Sequence, residues 1–335
     1  MRPRLHKQNR THFVTESALG ARAGLAMLVL AALIPVQRGA AAPVLHPGAL
    51  VTAVTRTPLM PRLVGPRLAD PLIADTLAGR SGKLRARFVS PRRDGGIRIL
   101  RALFGDSAVR RPGIYHAPDS ATGRRVAFIN LLPFQARVRG KVGHYRIGFW
   151  PGERRASWSA RAPEGFIEVT PANEDTPLSD HFRLRDFLTH DQQAVWPKYL
   201  VLREALIDKL ELVITDLGRR GYAVTRMTVM SGFRTPQYNA QGVGPKGGRA
   251  TDSRHQYGDA ADVFVDNDGD GLLDDLNRDG RVDTRDARVI LESVERVEAA
   301  HPDLVGGAGL YRATRAHGPF VHVDVRGARA RWGRA

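Results

Sequence analysis

The sequence predicts an α+β protein, in which a C-terminal domain of helices and mainly antiparallel sheet follows a small, mostly-β domain. In the C-terminal part, apolar residues recur at three- and four-residue steps through residues 200–217, which is the spacing of an amphipathic helix. Short apolar runs follow this segment and are typical of strands, at residues 225–230, 261–265, 308–311 and 320–325. A helix combined with mainly antiparallel strands is the α+β arrangement.

The first 42 residues have the composition of a secretory signal peptide. Four basic residues lie within the first ten positions, a short apolar run follows at 23–36, and small residues occupy 39–42. The apolar run is short for a membrane span, which needs about 20 residues. An uncleaved anchor is the alternative, because Pro43 adjoins the expected cleavage site. In both cases the folded part is expected in the periplasm, the cell envelope or the extracellular space.

The chain has a formal net charge of +17 and contains no cysteine. Without cysteine there is no disulfide framework and no thiolate ligand, so any metal site must use His, Asp or Glu. Excess positive charge on an exported protein indicates anionic surroundings such as cell-wall polymers, although a generally cationic surface is the simpler alternative. No nucleic-acid partner is expected, because the sequence has no helix-turn-helix, RNP or zinc-finger pattern.

The remaining segments before the C-terminal domain differ in composition. Residues 43–80 are rich in Pro, Ala, Arg and Leu without a sustained period, which predicts a tether. From 81 to 170, short apolar or alternating runs separated by Gly and Pro predict the mostly-β domain. The polar segment 171–178 predicts a linker, which leaves 179–335 as the second domain. Four aromatic residues of the β domain either pack in its core, the simpler reading, or line a ligand groove: Tyr145, Phe149, Trp150 and Trp158.

Two imidazoles and a carboxylate near the C-terminus are suited to bind zinc. His255 lies in a Gly-containing turn, and Asp262 opens an apolar strand a few residues later. The small residues between them allow the turn to fold back, so that both side chains face one point. His322 lies within the predicted strand 320–325, whose alternation puts His322 and Asp324 on the same face. Because a catalytic zinc site uses three protein ligands and keeps one position open, the three residues predict such a site.

Three sequence motifs resemble the M15 family of zinc D-Ala-D-Ala carboxypeptidases and murein endopeptidases. They are S-G-F-R-T-P at 231–236, S-x-H-x-x-G-x-A-x-D at 253–262 and F-V-H-V-D at 320–324. A further segment, at 181–187, is similar to the opening of the small periplasmic murein-peptidase-like branch. The resemblance covers residues 179–335 and implies the zinc D-Ala-D-Ala-peptidase fold, which hedgehog domains share.

The resemblance also implies roles for individual residues. It makes His255, Asp262 and His322 the zinc ligands. It makes Arg234 the group that grips a carboxylate or carbonyl oxygen of the substrate and stabilises charge in the transition state. The alternative for Arg234 is a structural salt bridge. Several branches of the family carry a general-base Glu three residues before the last zinc histidine, where this chain has Pro319.

The general base is therefore open. Asp324, His317 and Asp259 are the candidates, and Asp324 is the favoured one. Asp324 has a second, equally acceptable role, in which it orients His322 without binding the metal itself.

An acidic segment at 266–286 is unusual in so basic a chain, with eight Asp and three Arg residues. Residues 275–286 match the twelve-position calcium loop of EF-hands and dockerins, which the segment resembles, and a helix is expected after them. An overlapping loop at 266–277 gives a second candidate, while a solvated acidic turn is the alternative to both. The predicted calcium ligands are Asp275, Asn277, Asp279, Arg281 through its backbone carbonyl, Asp283 and Asp286, with Asp266, Asp268, Asp270 and Asp274 for the second loop.

These patterns together predict an exported zinc-dependent peptidase of peptidoglycan. It would act as a D,D- or L,D-carboxypeptidase or endopeptidase on a D-Ala-containing stem peptide or cross-link. Zinc and calcium are the expected cofactors, peptidoglycan or its peptides the expected partner, and anionic wall polymers further candidates for binding. A non-catalytic wall-binding protein with the same fold is the alternative. A basic nucleic-acid binder is the third hypothesis, and it predicts salt-sensitive retention of DNA that does not depend on zinc.

Overall fold

The computed structural model describes residues 78–90, 94–118, 123–155, 158 and 162–333. All of them belong to one compact unit, Pro61–Ala335. The predicted signal peptide, 1–42, and the predicted tether up to residue 77 lie outside the described residues. Among the helices that are described, none has the length and apolar composition needed to cross a membrane.

The N-terminal part of the described chain combines short strands with two helices. These elements form a sheet of order 1-3-2, a second sheet of order 4-7-8 and a two-stranded hairpin of strands 5 and 6. In chain order they are β1 (Ala86–Val89), α1 (Asp94–Phe104), α2 (Asp106–Arg110), β2 (Gly113–Pro118), β3 (Arg125–Asn130), β4 (Leu132–Pro133), β5 (Lys141–Val142), β6 (Tyr145–Arg146), β7 (Gly165–Val169) and β8 (Lys198–Leu200).

The segment 81–170 therefore contains more helix than the mostly-β domain that the sequence predicts. The first turn of helix α1 contains Gly95 and Gly96, a pair that is typical of a turn and hides the helical spacing of the apolar residues after it. Leu100 of this helix is fully buried in a small cluster with Val89 of β1.

The C-terminal part is a five-stranded sheet with two long helices. The elements are α3 (Glu204–Arg219), β9 (Met227–Ser231), α4 (Pro236–Ala240), β10 (Ala260–Val265), α5 (Thr284–Ala300), β11 (Gly307–Tyr311), β12 (Phe320–Asp324) and β13 (Ala330–Trp332). The sheet has the order β13-β11-β12-β10-β9 and is antiparallel except for the pair β11–β13. The predicted α+β class is confirmed at this level.

One face of the five-stranded sheet packs against helices α3 and α5. Val321 and Val323 of β12 and Val263 of β10 are fully buried, and they belong to the same cluster as Leu210 of α3 and Val294 of α5. Because successive strand residues point to opposite faces, the residues that alternate with these valines face away from the helices. That opposite face carries His322.

The long helix begins later than the predicted helical segment. Helix α3 starts at Glu204, whereas Leu200 ends strand β8 and pairs with Ile167 of β7. The strand residues Lys198–Leu200 are buried at every position. A short run of apolar residues fits both a strand that is buried on both faces and part of a buried helix. The pattern of apolar residues therefore cannot distinguish a strand from a helix here.

The segment 171–178 does not separate two hydrophobic cores. One cluster of buried residues includes Phe166 before this segment and both Phe187 and Val263 after it. Strand β8 also lies beyond the segment, yet it completes the sheet of β4 and β7. Residues 171–175 form a turn, and Leu178 is fully buried. The Pro, Asn and Asp residues thus indicated a reversal of the chain, not a domain boundary.

A close backbone approach at Gly258 gives a test of this packing. Gly258 has a φ of +64°, and a Cβ there would lie 2.2 Å from the carbonyl oxygen of Val201. We expect Gly258→Ala to lower the free energy of unfolding by about 3–5 kcal/mol, because backbone strain and a steric clash add. Urea unfolding measures the difference.

The matched control is Gly82→Ala. Gly82 has a φ of +71° but no atom within 4 Å of the added Cβ. This substitution should cost only about 1–2 kcal/mol, the strain of a left-handed residue. An equal loss for both variants would contradict the close approach at Gly258.

Candidate metal centre

Five residues form one row across the sheet, one from each strand. Asp262 in β10 is paired with His322 in β12, and His322 is paired in turn with Gly309 in β11. Ser231 in β9 lies opposite Asp262, and Trp332 in β13 lies beside Gly309. Residues directly opposite on neighbouring strands share a face of the sheet. The row therefore places a carboxylate and an imidazole side by side, away from helices α3 and α5.

His255 reaches this row from the 3-10 turn Arg254–Tyr257. Its Nδ1 lies 2.7 Å from the carbonyl oxygen of Gly232, so this nitrogen donates to the backbone and Nε2 is free as a ligand. The backbone N–H of Arg234 donates to the carbonyl oxygen of His255 at 3.2 Å. The His255 residue is only 2% exposed. Both bonds fix the ring with Nε2 directed at the strands.

Three ligand atoms form a compact triangle. His322 Nδ1 lies 2.9 Å from Asp262 Oδ1. His255 Nε2 lies 3.3 Å from the same oxygen and 3.2 Å from His322 Nδ1. Ligands bound tetrahedrally to zinc at about 2.0–2.1 Å are separated by about 3.3–3.4 Å. The structure thus brings the three predicted zinc ligands together, and their spacing and chemistry fit one zinc ion.

Asp324 holds His322 from the side opposite the triangle. Its Oδ2 lies 3.1 Å from His322 Nε2, so that nitrogen donates to the carboxylate and Nδ1 is left for a metal. Asp324 is fully buried and also accepts from the backbone N–H of Gly307 at 2.7 Å and from Arg326 Nε at 2.9 Å. Of the two roles left open for Asp324, this geometry favours orientation of His322 over general-base catalysis.

The charge state of the group follows from its burial and its hydrogen bonds. Burial lowers the pKa of His255, since the attraction of Asp262 does not compensate for it. Burial opposes charge on His322 too, but hydrogen bonds to Asp262 and Asp324 outweigh it and raise the pKa of His322. Burial would also raise the pKa of Asp262, yet the two imidazoles hold it well below its usual value. Asp262 is therefore ionised, as a metal ligand must be.

Arg234 contacts the second oxygen of the same carboxylate. Its Nη2 donates to Asp262 Oδ2 at 2.5 Å, and its Nε donates to Ser231 Oγ at 2.8 Å. Burial lowers the pKa of Arg234, although the guanidinium stays charged. The structural salt bridge considered for Arg234 is therefore present. In the described part of the chain its Nη1 has no hydrogen-bond partner, which leaves that nitrogen for a substrate oxygen.

The two other candidates for a general base have different surroundings. His317 is half-buried, meets the ring of Phe320 edge-on at 5.0 Å, and donates through Nδ1 to the carbonyl oxygen of Gly318. No described residue is hydrogen-bonded to its Nε2. Asp259 is fully buried, and both of its oxygens accept from Arg254. His317 is the candidate with an uncommitted nitrogen.

Aromatic residues beside His322 were missed by the sequence analysis. The ring of Trp332 lies 5.1 Å from that of His322, and its Nε1 donates to the Tyr311 hydroxyl at 2.9 Å. Tyr311 stacks on Phe320 with 4.5 Å between the ring centroids. Gly309 makes room for the indole, because a Cβ there would lie 2.1 Å from Trp332 Nε1. A glycine inside a strand was the available signal, since it indicates close approach by another group.

The acidic segment 266–286 forms two consecutive loops, and its last three residues lie in the first turn of α5. Asp266, Asp268 and Asp274 each place one carboxylate oxygen within 4.8 Å of the others, and Asp266 is fully buried. Asp270 is not part of this group, although it accepts a backbone N–H, that of Leu272, as the other three carboxylates also do from neighbouring residues. The carboxylates that converge most closely therefore belong to the loop with the poorer match to the calcium pattern. Both loops share the pattern D-x-[DN]-x-D-G-x-[LV]-D at a nine-residue interval, which the sequence analysis overlooked.

The second loop, residues 275–286, is closed by its own hydrogen bonds. The backbone N–H of Gly280 donates to Asp275 at 2.8 Å, and Gly280 has the positive φ, 81°, that the sixth position needs. Arg285 pairs with Asp279 at 2.7 Å and with Asp283 at 2.9 Å. In this loop Asn277 and Arg281 donate their backbone N–H groups to Asp286 and Asp279, respectively.

No protein-family model, no curated protein and no solved structure matches this chain. The resemblance to the M15 family thus rests on the sequence motifs within residues 181–324.

The orienting role of Asp324 can be tested by zinc affinity. We expect Asp324→Asn to weaken zinc binding about 10- to 100-fold, because the substitution makes His322 less basic and less fixed. Competition with a fluorescent chelator measures the dissociation constant. Asp303→Asn, an exposed position with 48% side-chain exposure, is the control and should bind zinc like the original protein. Unchanged zinc affinity with loss of hydrolysis alone would indicate a general base instead.

Proposed function

We propose that this protein is an exported zinc-dependent peptidase that hydrolyses a D-Ala-containing peptide bond in peptidoglycan stem peptides or cross-links. The observation that carries the proposal is the buried triangle of His255 Nε2, Asp262 Oδ1 and His322 Nδ1. Catalytic zinc sites use three protein ligands, whereas structural sites use four. Within the described residues, no fourth His, Asp or Glu joins this group.

When bound, zinc supplies Lewis-acid activation of water and of the scissile carbonyl group. The residues of the chain supply position and charge. Asp324 and Gly232 fix the two imidazoles in the tautomers that a metal requires. Arg234 is hydrogen-bonded to Asp262 Oδ2, the oxygen outside the triangle, and its free Nη1 can bind a carboxylate or the developing oxyanion of the substrate.

His317 is the residue we propose to move the proton. A water molecule adds its hydroxyl to the carbonyl carbon while His317 Nε2 accepts the water proton. The C–N bond then breaks, and the same proton passes to the departing amine. His317 is supported by its uncommitted Nε2 and by its contact with Phe320, two residues before His322 on the same face of β12. Pro319 occupies the position at which other branches carry the basic Glu.

The proposed substrate follows from the sequence motifs and from charge. The resemblance to murein peptidases implies a peptide with D-Ala, on which either D,D- or L,D-carboxypeptidase or endopeptidase action is consistent with the site. A net charge of +17 favours binding to anionic wall polymers. The signal-peptide pattern at 1–42 supports export to the cell envelope.

A non-catalytic wall-binding protein is the second candidate. Two observations favour it, namely Pro319 in place of a carboxylate base and the position of Asp324 behind His322. Such a protein would bind zinc for stability and peptidoglycan for attachment, but it would release no peptide.

Hydrolysis is tested with purified sacculi and the zinc-loaded protein. We expect release of peptides or shortened muropeptides, detected by liquid chromatography and mass spectrometry. His322→Ala should abolish release because it removes a ligand. Arg234→Ala should lower the rate about 10²- to 10³-fold, the loss typical of one oxyanion-stabilising group.

Arg288→Ala is the matched control for the loss of one arginine. Arg288 lies exposed on α5, away from the row of site residues, so its removal should leave the rate unchanged. If the zinc-loaded protein binds sacculi but releases nothing, the non-catalytic candidate replaces the peptidase.

We also propose that the loops within 266–286 bind calcium. Support comes from the EF-hand-like spacing of oxygen ligands and from the convergence of Asp266, Asp268 and Asp274. The segment lies between Asp262 and His322 in the chain, so an ordered calcium loop would stabilise the connection between β10 and α5.

Calcium binding is tested by thermal unfolding of the zinc-loaded protein. At a calcium concentration near 100 times the dissociation constant we expect a rise in melting temperature of about 5–10 °C. Asp268→Asn should remove the shift if the first loop binds the ion, and Asp279→Asn should remove it if the second loop does. Magnesium is the control for ionic strength. An unchanged melting temperature would show that the segment is a solvated acidic turn.

A further inference from the structure

A cavity of about 340 Å³ lies between the hairpin β5–β6 and helix α4, outside the metal centre. The hairpin side contributes Arg139, Lys141 and Phe149, and the helix side contributes Pro236 and Gln237. The volume is at the lower end of the range for ligand pockets, about 300–1,000 Å³. Its lining combines an aromatic ring with two cations, which is a composition suited to an acidic ligand with an apolar face.

The walls of the cavity are held in place by direct contacts. The backbone N–H of Gln237 donates to the carbonyl oxygen of Ile147 at 3.0 Å. A Cβ at Gly148 would lie 2.7 Å from the backbone nitrogen of Gln237, so hairpin and helix touch through their backbones. Tyr145 and Trp150, on either side of this contact, are buried. A preformed cavity of this kind loses little conformational entropy when a ligand binds.

Phe149 is the aromatic side chain of the cavity wall, and it is largely exposed. The residue is 65% exposed. The guanidinium of Arg137 lies 5.1 Å from the ring centroid, and a Cβ at Gly140 would lie 3.1 Å from the ring edge. Sugar rings have apolar C–H faces that stack on such an aromatic surface. Of the four aromatic residues noted in 81–170, Phe149 is the one that lines this cavity.

The basic residues near the rim of the cavity occupy positions that are locally unfavourable for them, in backbone conformation or in charge. Arg139 has a φ of 49° and Gly140 a φ of 75°, as in a type I′ turn, where Asn-Gly is the preferred pair. Lys141 lies directly opposite Arg146 in the hairpin, and like charges at opposite positions destabilise a strand pair. None of these three cations has a carboxylate partner within the described residues. A strained arginine and two adjacent unpaired cations point to an anionic ligand.

We propose that this cavity binds an anionic sugar chain, with a sugar ring on Phe149 and the acidic groups on Arg139 and Lys141. Helix α4 begins two residues after Arg234, so a chain bound here would lie beside the segment that carries this arginine. The identification of the bound chain as the glycan of the wall polymer rests on the proposed function. The binding of an acidic sugar does not rest on it, because none of the residues that line the cavity belongs to the candidate metal centre.

The test is calorimetric titration of the purified protein with tetragalacturonate, a chain of carboxylated sugars, and with its neutral methyl ester. We expect saturable binding of the acidic chain that weakens with added salt, and no measurable binding of the ester. Phe149→Ala should weaken binding about tenfold through the loss of the stacking surface. Arg139→Gly should weaken it as well, and because Gly tolerates a positive φ this variant retains the fold.

The matched control is Arg278→Gly. Arg278 is also an exposed arginine with positive φ, 60°, but it lies in the acidic segment and not at the cavity. It should bind tetragalacturonate like the original protein. Equal weakening in Arg278→Gly, equal binding of the methyl ester, or unchanged binding in Phe149→Ala would each overturn the proposal.

The same titration with His322→Ala separates this inference from the proposed function. If His322→Ala still binds tetragalacturonate and the zinc-loaded original protein fails to hydrolyse sacculi, the sugar site is supported and only the peptidase proposal is contradicted. Hydrolysis of sacculi without any binding of tetragalacturonate would remove the sugar site and leave the peptidase.

Discussion

Strands β10 and β12 pair in a register that puts Asp262 opposite His322, and the candidate metal centre depends on this pairing. A shift by one residue would send one of the two side chains to the helix side of the sheet. The alternating valines prevent it, since Val263, Val321 and Val323 are fully buried against the helices. The packing of the core thus determines which polar residues meet on the opposite face. Gly309, with no side chain, then leaves space for Trp332 beside His322.

A buried charge network connects this sheet to both long helices. Lys209 of α3 is fully buried and donates to Glu298 of α5 at 2.7 Å and to the backbone carbonyl oxygen of Asp324 at 2.8 Å. Arg331 of β13 contacts the second oxygen of Glu298. Burial lowers the pKa of Lys209, although Glu298 and Asp324 favour its charged form. A buried charge that loses its partner is strongly destabilising, so the end of β12 that carries Asp324 is held firmly.

The candidate metal centre was largely predictable from local sequence, because the three side chains that meet there occur in short motifs with distinctive spacing. His255 and Asp262 are separated by a single turn, and His322 lies in a strand whose alternation is visible in the sequence. The contact between Asp324 and His322 Nε2 could be found only from the structure. The alternation of the strand places both residues on one face, but it does not indicate which ring nitrogen the carboxylate contacts. Trp332 was missed because β13 is a three-residue edge strand without a pattern of its own.

The fold was predictable at the level of class but less so in its boundaries. The turn at 171–178 and the buried strand β8 are the two examples. The composition of a segment indicates whether the chain turns and whether it is buried, but it does not indicate which distant strand completes a sheet. The acidic loops illustrate the same limit. A twelve-position pattern ranks 275–286 first, whereas the carboxylates of Asp266, Asp268 and Asp274 are the ones that folding brings together.

Asp262 has one oxygen in the triangle with the two imidazoles and the other on Arg234, so the proposed metal and the proposed substrate would share a single carboxylate. A cation bound at Oδ1 would withdraw electron density from the carboxylate and weaken its hydrogen bond with the Arg234 guanidinium. A substrate oxygen that displaces Arg234 from Oδ2 would leave more electron density on Oδ1, the oxygen that faces the metal. Because such coupling is reciprocal, a metal ion bound at Oδ1 would raise the affinity for a substrate held by Arg234, and that substrate would raise the affinity for the metal by the same factor.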